Sequence, residues 1–530
     1  MSVRDRASPA RTGPLASTSI TGLTRRQALG GVLAGAATIA LAGCSTGARP
    51  GAADGSTLHS TWIDARGDGQ LSLGPGEPLI DRVALGKPAP ITGTIARLAH
   101  LTDAHVLDAS SPARVPFLAR LGPPLQSTFR PQEALTAQVL NGAVSAIRAL
   151  RPELVIQGGD LIDNDQNNEL ERALKLLTGG RVHPGSGRDG YYGVQSLFDP
   201  DPFYYRPDID APRHPGMLKQ AVRPFMSAGL GIPWLPVLGD HDALVAGELT
   251  PSALTQGLAV GDRALWNLPP NLELPRGLRL SPGGSPDGPP DPGYVASFLR
   301  QALAGPTVHV PADRNRYELS FTQAIGRLWS GSHAGTQTGI RAAATASAGA
   351  QLDYVRDVGD SLRLIVLDIV RRGGGSGGLV ADDQPAWLSE QLSSAGDRWV
   401  IVVSHQPLPD ATGGEQLLAL LDRAPRVVAV LSGHTHRNRI VPRETAAGGY
   451  WLITTCSLID YPQQCRALHL HATANRGVAL QTWMLDHAGD DPLGPISREL
   501  AYIDAQGGRP AHFTGSRWDR NVTLYRSAPR

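Results

Sequence analysis

The sequence predicts a layered α/β fold. Three observations carry this. Short runs of β-branched and apolar residues recur along the chain, amphipathic helical stretches separate the first of them, and several runs end abruptly in Gly, Asp or His. Apolar runs bounded by turn residues read as buried strands, and their alternation with helices argues for stacked layers. With 530 residues and 41% hydrophobic side chains, the chain is long enough for a well-buried core. The 61 glycines and 43 prolines predict long ordered loops and insertions.

The N-terminus reads as an address. Thr24-Arg25-Arg26-Gln27-Ala28-Leu29 precedes a Gly/Ala-rich apolar run ending at Leu41-Ala42-Gly43-Cys44. A basic region, an apolar stretch too short to span a bilayer comfortably, and small residues before a cut describe an export signal. The paired arginines resemble the twin-arginine signal, and residues 41–44 resemble a bacterial lipobox, whose cysteine is acylated. The expectation is export by that route, with a lipid anchor at Cys44 holding the protein to the extracytoplasmic face of the cell membrane, or secretion. Residues 1–43 form the signal in this reading. They carry five arginines against Asp5, so the mature body of a chain with formal charge +1 is mildly acidic. That gives no electrostatic case for nucleic-acid binding. The three lysines against many arginines reflect genomic composition rather than a binding patch.

Residues 44–92 read as a tether and N-terminal extension, with a strand or two laid on the outside. Residues 92–102 (TGTIARLAHLT) form a strand that ends in Asp103-Ala104-His105. A helix over 131–150 follows, with Pro131 in its first turn and Leu135, Val139, Leu140, Val144, Ile147 and Leu150 at helical spacing. A strand over 153–157 closes in Gly158-Gly159-Asp160 before a helix over 167–177. The strand over 233–238 runs into Gly239-Asp240-His241-Asp242. Strands over 361–370 and 398–403 follow, the latter ending at Ser404-His405, with short helices over 384–392 and 416–421. The run VVAVLS from Val427 ends in Gly433-His434-Thr435-His436. Residues 451–455, 467–471 and 478–485 read as further strands, antiparallel by their short connections. The tail from 490 to 530 is polar and is expected to wrap the surface. Stretches near 178–230 and 243–349 lack clean periodicity and read as insertions, the longer kind being usually functional. The catalytic domain is thus expected over 93–490, with 491–530 as an extension.

The strand ends carry the chemistry. Side chains at i and i+2 leave a strand on the same side, and open α/β sheets place ligands at strand carboxyl ends. Five ends present Asp103 with His105, Asp160, Asp240-His241-Asp242, His405, and His434 with His436. Each alone is weak, since a single histidine on a strand is more often a core residue. Five in succession, each after an apolar run, point to metal. A set of carboxylates and imidazoles without thiolate favours Mn, Fe or Zn over copper or an iron–sulfur cluster. Two divalent ions about 3.5–4 Å apart can activate water and clamp an in-line displacement at phosphorus.

In these five motifs the chain resembles the calcineurin-like metallophosphoesterase family. The resemblance implies a four-layer α/β/β/α sandwich of two mixed sheets flanked by helices, with a dinuclear metal site at the strand ends. It implies that Asp103, His105 and His436 hold one divalent ion, that Asp160 bridges both, and that Asp240, His405 and His434 hold the second. It makes His241 the catalytic histidine, and Asp242 is expected to orient it. The implied partner is a phosphate-ester substrate, a monoester or diester. A phospholipid- or nucleotide-directed diesterase and a metal-containing binding protein without turnover are the alternatives. Two positions depart from family patterns. Where Gly-Asn-His is usual the chain has Gly-Asp240-His241, adding a negative charge beside the second metal. Where the purple acid phosphatase branch has a tyrosine three residues after its bridging aspartate, this chain has Asp163, so no tyrosinate-to-iron colour is expected.

Other residues receive structural readings. Cys456 and Cys465 flank a hairpin loop and are read as two buried thiols or a disulfide formed after export. Arg437 and Asn438 either reach a phosphate or belong to a solvated loop. His183, His309, His333 and His512 read as surface residues, and Asp368 as a hydrogen-bonded structural carboxylate.

Overall fold

A computed structural model describes residues 55–529 apart from 123–124, 199–200, 270–287, 289–291, 333–350 and 508–511. The export signal, Cys44 and His333 therefore lie outside the described residues. The described residues belong to one compact unit.

Two mixed sheets organise it. The first has seven strands: β1 (Ile80–Leu85), β2 (Ile91–Leu101), β3 (Leu154–Gln157), β4 (Trp234–Pro236), β11 (Gln464–Thr473), β12 (Val478–Asp486) and β13 (Val522–Arg526). Their spatial order is β1-β13-β12-β11-β2-β3-β4. The second has six: β5 (Tyr354–Val358), β6 (Leu362–Leu367), β7 (Trp399–Ser404), β8 (Val427–Ser432), β9 (Arg439–Arg443) and β10 (Tyr450–Thr454), in the order β5-β6-β7-β8-β10-β9. Strands β2, β3 and β4 pair in parallel, as do β6, β7, β8 and β10.

Alternation along the second sheet divides its side chains between two cores. Leu364, Val366, Ile401, Val403, Ala429 and Leu431 belong to the core shared with the first sheet. Their neighbours Ile365, Leu367, Val400, Val402 and Val430 pack with Leu388, Leu417, Leu418 and Leu421. Those leucines come from helices α3 (Gln384–Ser393) and α4 (Gly414–Leu421). Helices α1 (Thr136–Leu150) and α2 (Asn167–Thr178) supply Val139, Leu140, Leu170 and Leu176 to the first core. A strand buried on both faces must be apolar at every position, which is why VIVV and VVAVL read as continuous runs. The result is the expected four-layer α/β/β/α sandwich.

Three expectations change. Helix α1 begins at Thr136 rather than 131, because residues 133–135 form a single 3-10 turn. Strand β10 does not pair with β11: it lies in the second sheet, parallel to β8, and the chain crosses between sheets at 455–463. The tail is not a surface wrapper. It forms helix α5 (Leu493–Gln506) and strand β13, whose Val522 and Leu524 are fully buried between β12 and β1. The sheets therefore extend beyond the expected 93–490 on both sides. The 178–230 stretch contains the hairpin Gly180–Val182 with Phe225–Ser227. The 243–349 stretch contains Arg263–Leu265 paired with Thr307–His309, beside helix Phe321–Gly331.

Candidate metal centre

The turns after β2, β3, β4, β7 and β8 gather at one edge of the sandwich, and backbone bonds carry the pairing past the strands. Asp103 N–H donates to Gly159 O at 3.0 Å and His105 N–H to Asp160 O at 3.0 Å, joining the turns after β2 and β3. Gly433 N–H donates to His405 O at 2.9 Å, joining the turns after β8 and β7. Between sheets, His434 N–H donates to Asp103 Oδ1 at 3.0 Å.

These turns fold the backbone tightly. Asp103, His105, Asp160, His434 and His436 all have positive φ, between 42° and 65°. Aspartate and histidine tolerate that region better than most residues, at a cost that surrounding structure must offset. Close approach explains the glycines beside them. A Cβ on Gly433 would lie 2.1 Å from Thr102 Oγ1 and 2.5 Å from Asp103 Oδ2, and one on Gly159 would lie 2.3 Å from His405 Nδ1.

All seven predicted ligand residues converge as two donor sets. Asp160, Asp240, His405 and His434 present one atom each within 4.8 Å of one another, and so do Asp103, His105 and His436. His405 Nε2 stands 3.2 Å from Asp160 Oδ2 and 3.3 Å from Asp240 Oδ1, and His434 Nδ1 stands 3.3 Å from Asp240 Oδ1. In the other set His436 Nε2 is 3.4 Å from Asp103 Oδ1 and 3.3 Å from His105 Nε2. Asp160 Oδ2 is also 3.6 Å from His105 Nε2, so one oxygen faces both sets.

The donors fit divalent cations. His405 Nδ1 donates to Gly158 O at 2.8 Å, which fixes the tautomer and leaves Nε2 bare. That Nε2 is buried without a hydrogen-bond partner while two carboxylates face it. Burial disfavours a charged His405, yet Asp160, Asp240 and Asp103 outweigh it and raise the pKa well above the ordinary value. His436 is pushed up to about 9 against the same penalty by Asp103 and Asp460. Carboxylates that hold protons on buried imidazoles this strongly mark a place that calls for positive charge, which cations would supply in place of those protons.

His241 sits at the rim. Its N–H donates to Asp160 Oδ1 at 2.9 Å and its Nδ1 meets Asp163 O at 2.6 Å, leaving Nε2 for a substrate. Burial opposes its charged form, but Asp160, Asp240 and Asp163 push its pKa up to about 9. Asp242 departs from expectation. Its oxygens accept from Leu161 N–H at 2.8 Å, Ile162 N–H at 3.2 Å and Gly239 N–H at 2.9 Å. It braces the Asp160 turn rather than the His241 ring, which the Asp163 carbonyl orients instead. Burial, and then Asp160 beside it, raise Asp242 to about 7.

Residues 351–438 match the family model described as calcineurin-like phosphoesterase. The match takes in His405, His434 and His436, and the geometry above ties the remaining ligands to them. Two relatives share part of this chain. A glycerophosphodiester phosphodiesterase of Enterobacter lignolyticus is 37% identical over 14% of this chain and 30% of its own length. A probable cyclic nucleotide phosphodiesterase of Synechococcus is 38% identical over 14% of this chain and 33% of its own. The chain thus spans about a third of each. A solved dimetal phosphatase from Danio rerio covers 75% of this chain and 98% of its own at 13% identity, with a TM-score of 0.35. At that score the fold assignment rests on the strand order, not on the superposition.

Five residues of the candidate site were not legible as such. Asp460 Oδ2 is 2.6 Å from His436 Nδ1, and Arg130 clamps the same carboxylate at 2.7 and 3.1 Å. Asp163 Oδ1 is 3.2 Å from His105 Nδ1, with Arg114 Nε 3.6 Å from its other oxygen. Gln406 donates to Asp240 Oδ1 at 3.0 Å. Asp460 follows an apolar strand, which is a signal of the kind used for the ligands. The arginines lie in a region without periodicity and gave none. Both arginines line the cavity of about 400 Å³ over the metal centre, with His241, Ser376 and Phe513. Asp368 is structural as expected, accepting from Leu352 N–H at 2.9 Å. Cys456 and Cys465 are buried free thiols. His183, His309 and His512 are exposed.

Proposed function

We propose that the chain hydrolyses phosphate esters with two divalent cations, and that diesters are its preferred substrates. The observation that carries this is the pair of donor sets sharing Asp160 Oδ2 on one wall of an open cavity. Asp103, His105 and His436 would hold one cation, Asp240, His405 and His434 the other, with Asp160 between them. Bound cations of this kind supply Lewis acidity and lower the pKa of water.

The protein's own groups do the rest. His241, held through Nδ1 by the Asp163 carbonyl, offers Nε2 to the substrate. Protonated, it stabilises charge on a phosphoryl oxygen or passes its proton to the departing alcohol. Asp460 keeps His436 in the tautomer that bares Nε2, and an Asp163 carboxylate oxygen faces His105 Nδ1 at 3.2 Å. Arg114 and Arg130 add positive charge to the cavity wall. The preference for diesters rests on the names of the two partial relatives. Manganese, iron or zinc suits the donors. On the export and lipobox patterns alone, we place the protein on the extracytoplasmic face, anchored at Cys44. No described helix is long and apolar enough to cross a membrane.

The test is turnover of p-nitrophenyl phosphate and bis(p-nitrophenyl) phosphate by metal-reconstituted protein and by His241→Ala. Hydrolysis of the diester that falls at least a hundredfold in the variant is expected. Metal binding with no turnover of either ester would favour a non-catalytic role.

A further inference from the structure

We propose that a second cavity beside the metal centre is a subsite for the far end of the substrate, and that it selects an alcohol group combining apolar surface with a second anionic group. The inference rests on the phosphoesterase reading above. The cavity has a volume of about 330 Å³ and lies on the outer face of the six-stranded sheet, where β8, β10 and edge strand β9 run side by side. Helix α4 covers that face over the sheet centre and leaves this edge open.

Two features mark it as a binding place. Its floor is apolar: Leu408 and Val430 are buried, and Val441 pairs with Leu452 across the β9–β10 ladder. Its rim carries Arg437, Arg439 and Arg443 against Asp410, a net positive balance. Strand periodicity puts Arg439 on the same face as Val441 and Arg443. Asp422 holds Arg443 at 2.7 and 2.8 Å. Arg437 and Arg439 are exposed, and their guanidinium groups make no ion pair or hydrogen bond among the described residues. Two adjacent guanidiniums beside bare apolar surface suit an anion carried on an apolar body.

The connection to the metal centre is direct. Thr435 and Phe513 line both cavities. Thr435 sits between His434 and His436, so its turn is the partition. Phe513 is held there by Asn438 N–H donating to its carbonyl at 2.8 Å, and its ring lies 5.9 Å from that of His436. A phosphoryl group at the metal centre would therefore have one alcohol substituent within reach of the second cavity. Phe513 comes from the C-terminal tail, which gives that segment a role in specificity.

The test uses full-length, metal-reconstituted protein and p-nitrophenyl alkyl phosphates of stepped chain length, each ending in methyl or carboxylate. Above one chain length, the wild type is expected to prefer the carboxylate ester about five- to tenfold in kcat/KM through KM, as befits two exposed ion pairs. The preference is expected to fall to about one in R437A/R439A. No preference at any length, or a preference unchanged in the double variant, overturns the proposal. If no ester turns over, the phosphoesterase reading is at fault. Calorimetric binding of the matching alkyl phosphonates, with and without carboxylate, then decides the subsite by the same ratio.

Discussion

Asp460→Asn tests how the first donor set is held. In the native protein one carboxylate serves two donors: His436 Nδ1 at 2.6 Å, and the Arg130 fork at 2.7 and 3.1 Å. Asp460 and Arg130 are buried and His436 is partly so. Asparagine keeps the shape but offers one oxygen and one NH₂ group. If NH₂ faces Arg130, two donors oppose each other. If it faces His436, Nδ1 must accept, the ring proton moves to Nε2, and the atom aimed at Asp103 and His105 is blocked. Neither arrangement satisfies all three groups. Loss of such an outer partner costs about 10–100-fold in metal affinity, roughly 1.4–2.7 kcal/mol. The charge-assisted bond itself contributes about 1.5–3 kcal/mol to stability. Titration of metal-free protein with Mn²⁺ or Zn²⁺ by calorimetry should show one weakened site and one near the wild-type affinity, since His405 and His434 do not touch Asp460. Two unchanged sites would refute the argument, and so would equal weakening of both.

Asp240→Asn removes a charge that faces His405 and His434, and metal content after dialysis against a chelator should fall, with one equivalent lost first. Retention equal to wild type would show that Asp240 is not a ligand. Gly433→Ala should cost several kcal/mol, because its Cβ has Thr102 Oγ1 at 2.1 Å and Asp103 Oδ2 at 2.5 Å. A thermal midpoint within about 2 °C of wild type would contradict this. Burial pushes the Cys456 thiol up to about 12 and raises Cys465 also, so neither should react with a disulfide reagent until the protein unfolds. Rapid labelling of either in the native state would count against these positions. His434→Ala and His436→Ala should each empty one site, and loss of both metals in either variant would argue against their division between the sets.

The candidate ligands were legible because each follows an apolar strand and a tight turn, so their place in sequence is also their place in space. The strand registers of β2, β3, β4, β7 and β8 then bring five turns together, which no single motif encodes. Asp460 and Arg130 meet across 330 residues, and nothing local marks that pairing. Asp242 was misassigned for a related reason. Adjacent to His241 in sequence, it turns the other way, and its carboxylate is used by the backbone of the Asp160 turn. The tail was misread because Val522–Arg526 (VTLYR) is half polar. A strand with one neighbour on each side and a short span needs few apolar residues to be buried. Strand β10 was placed with β11 on connection length, whereas the nine residues between them carry Asp460 from one sheet to the other.

Two cations, held by two donor sets sharing Asp160, are expected to drive ester hydrolysis. The most direct test of this expectation is turnover of bis(p-nitrophenyl) phosphate measured against equivalents of Mn²⁺ added to metal-free protein. Activity should rise to a plateau at two equivalents per chain. A plateau at one equivalent, or two bound equivalents without turnover, would contradict it.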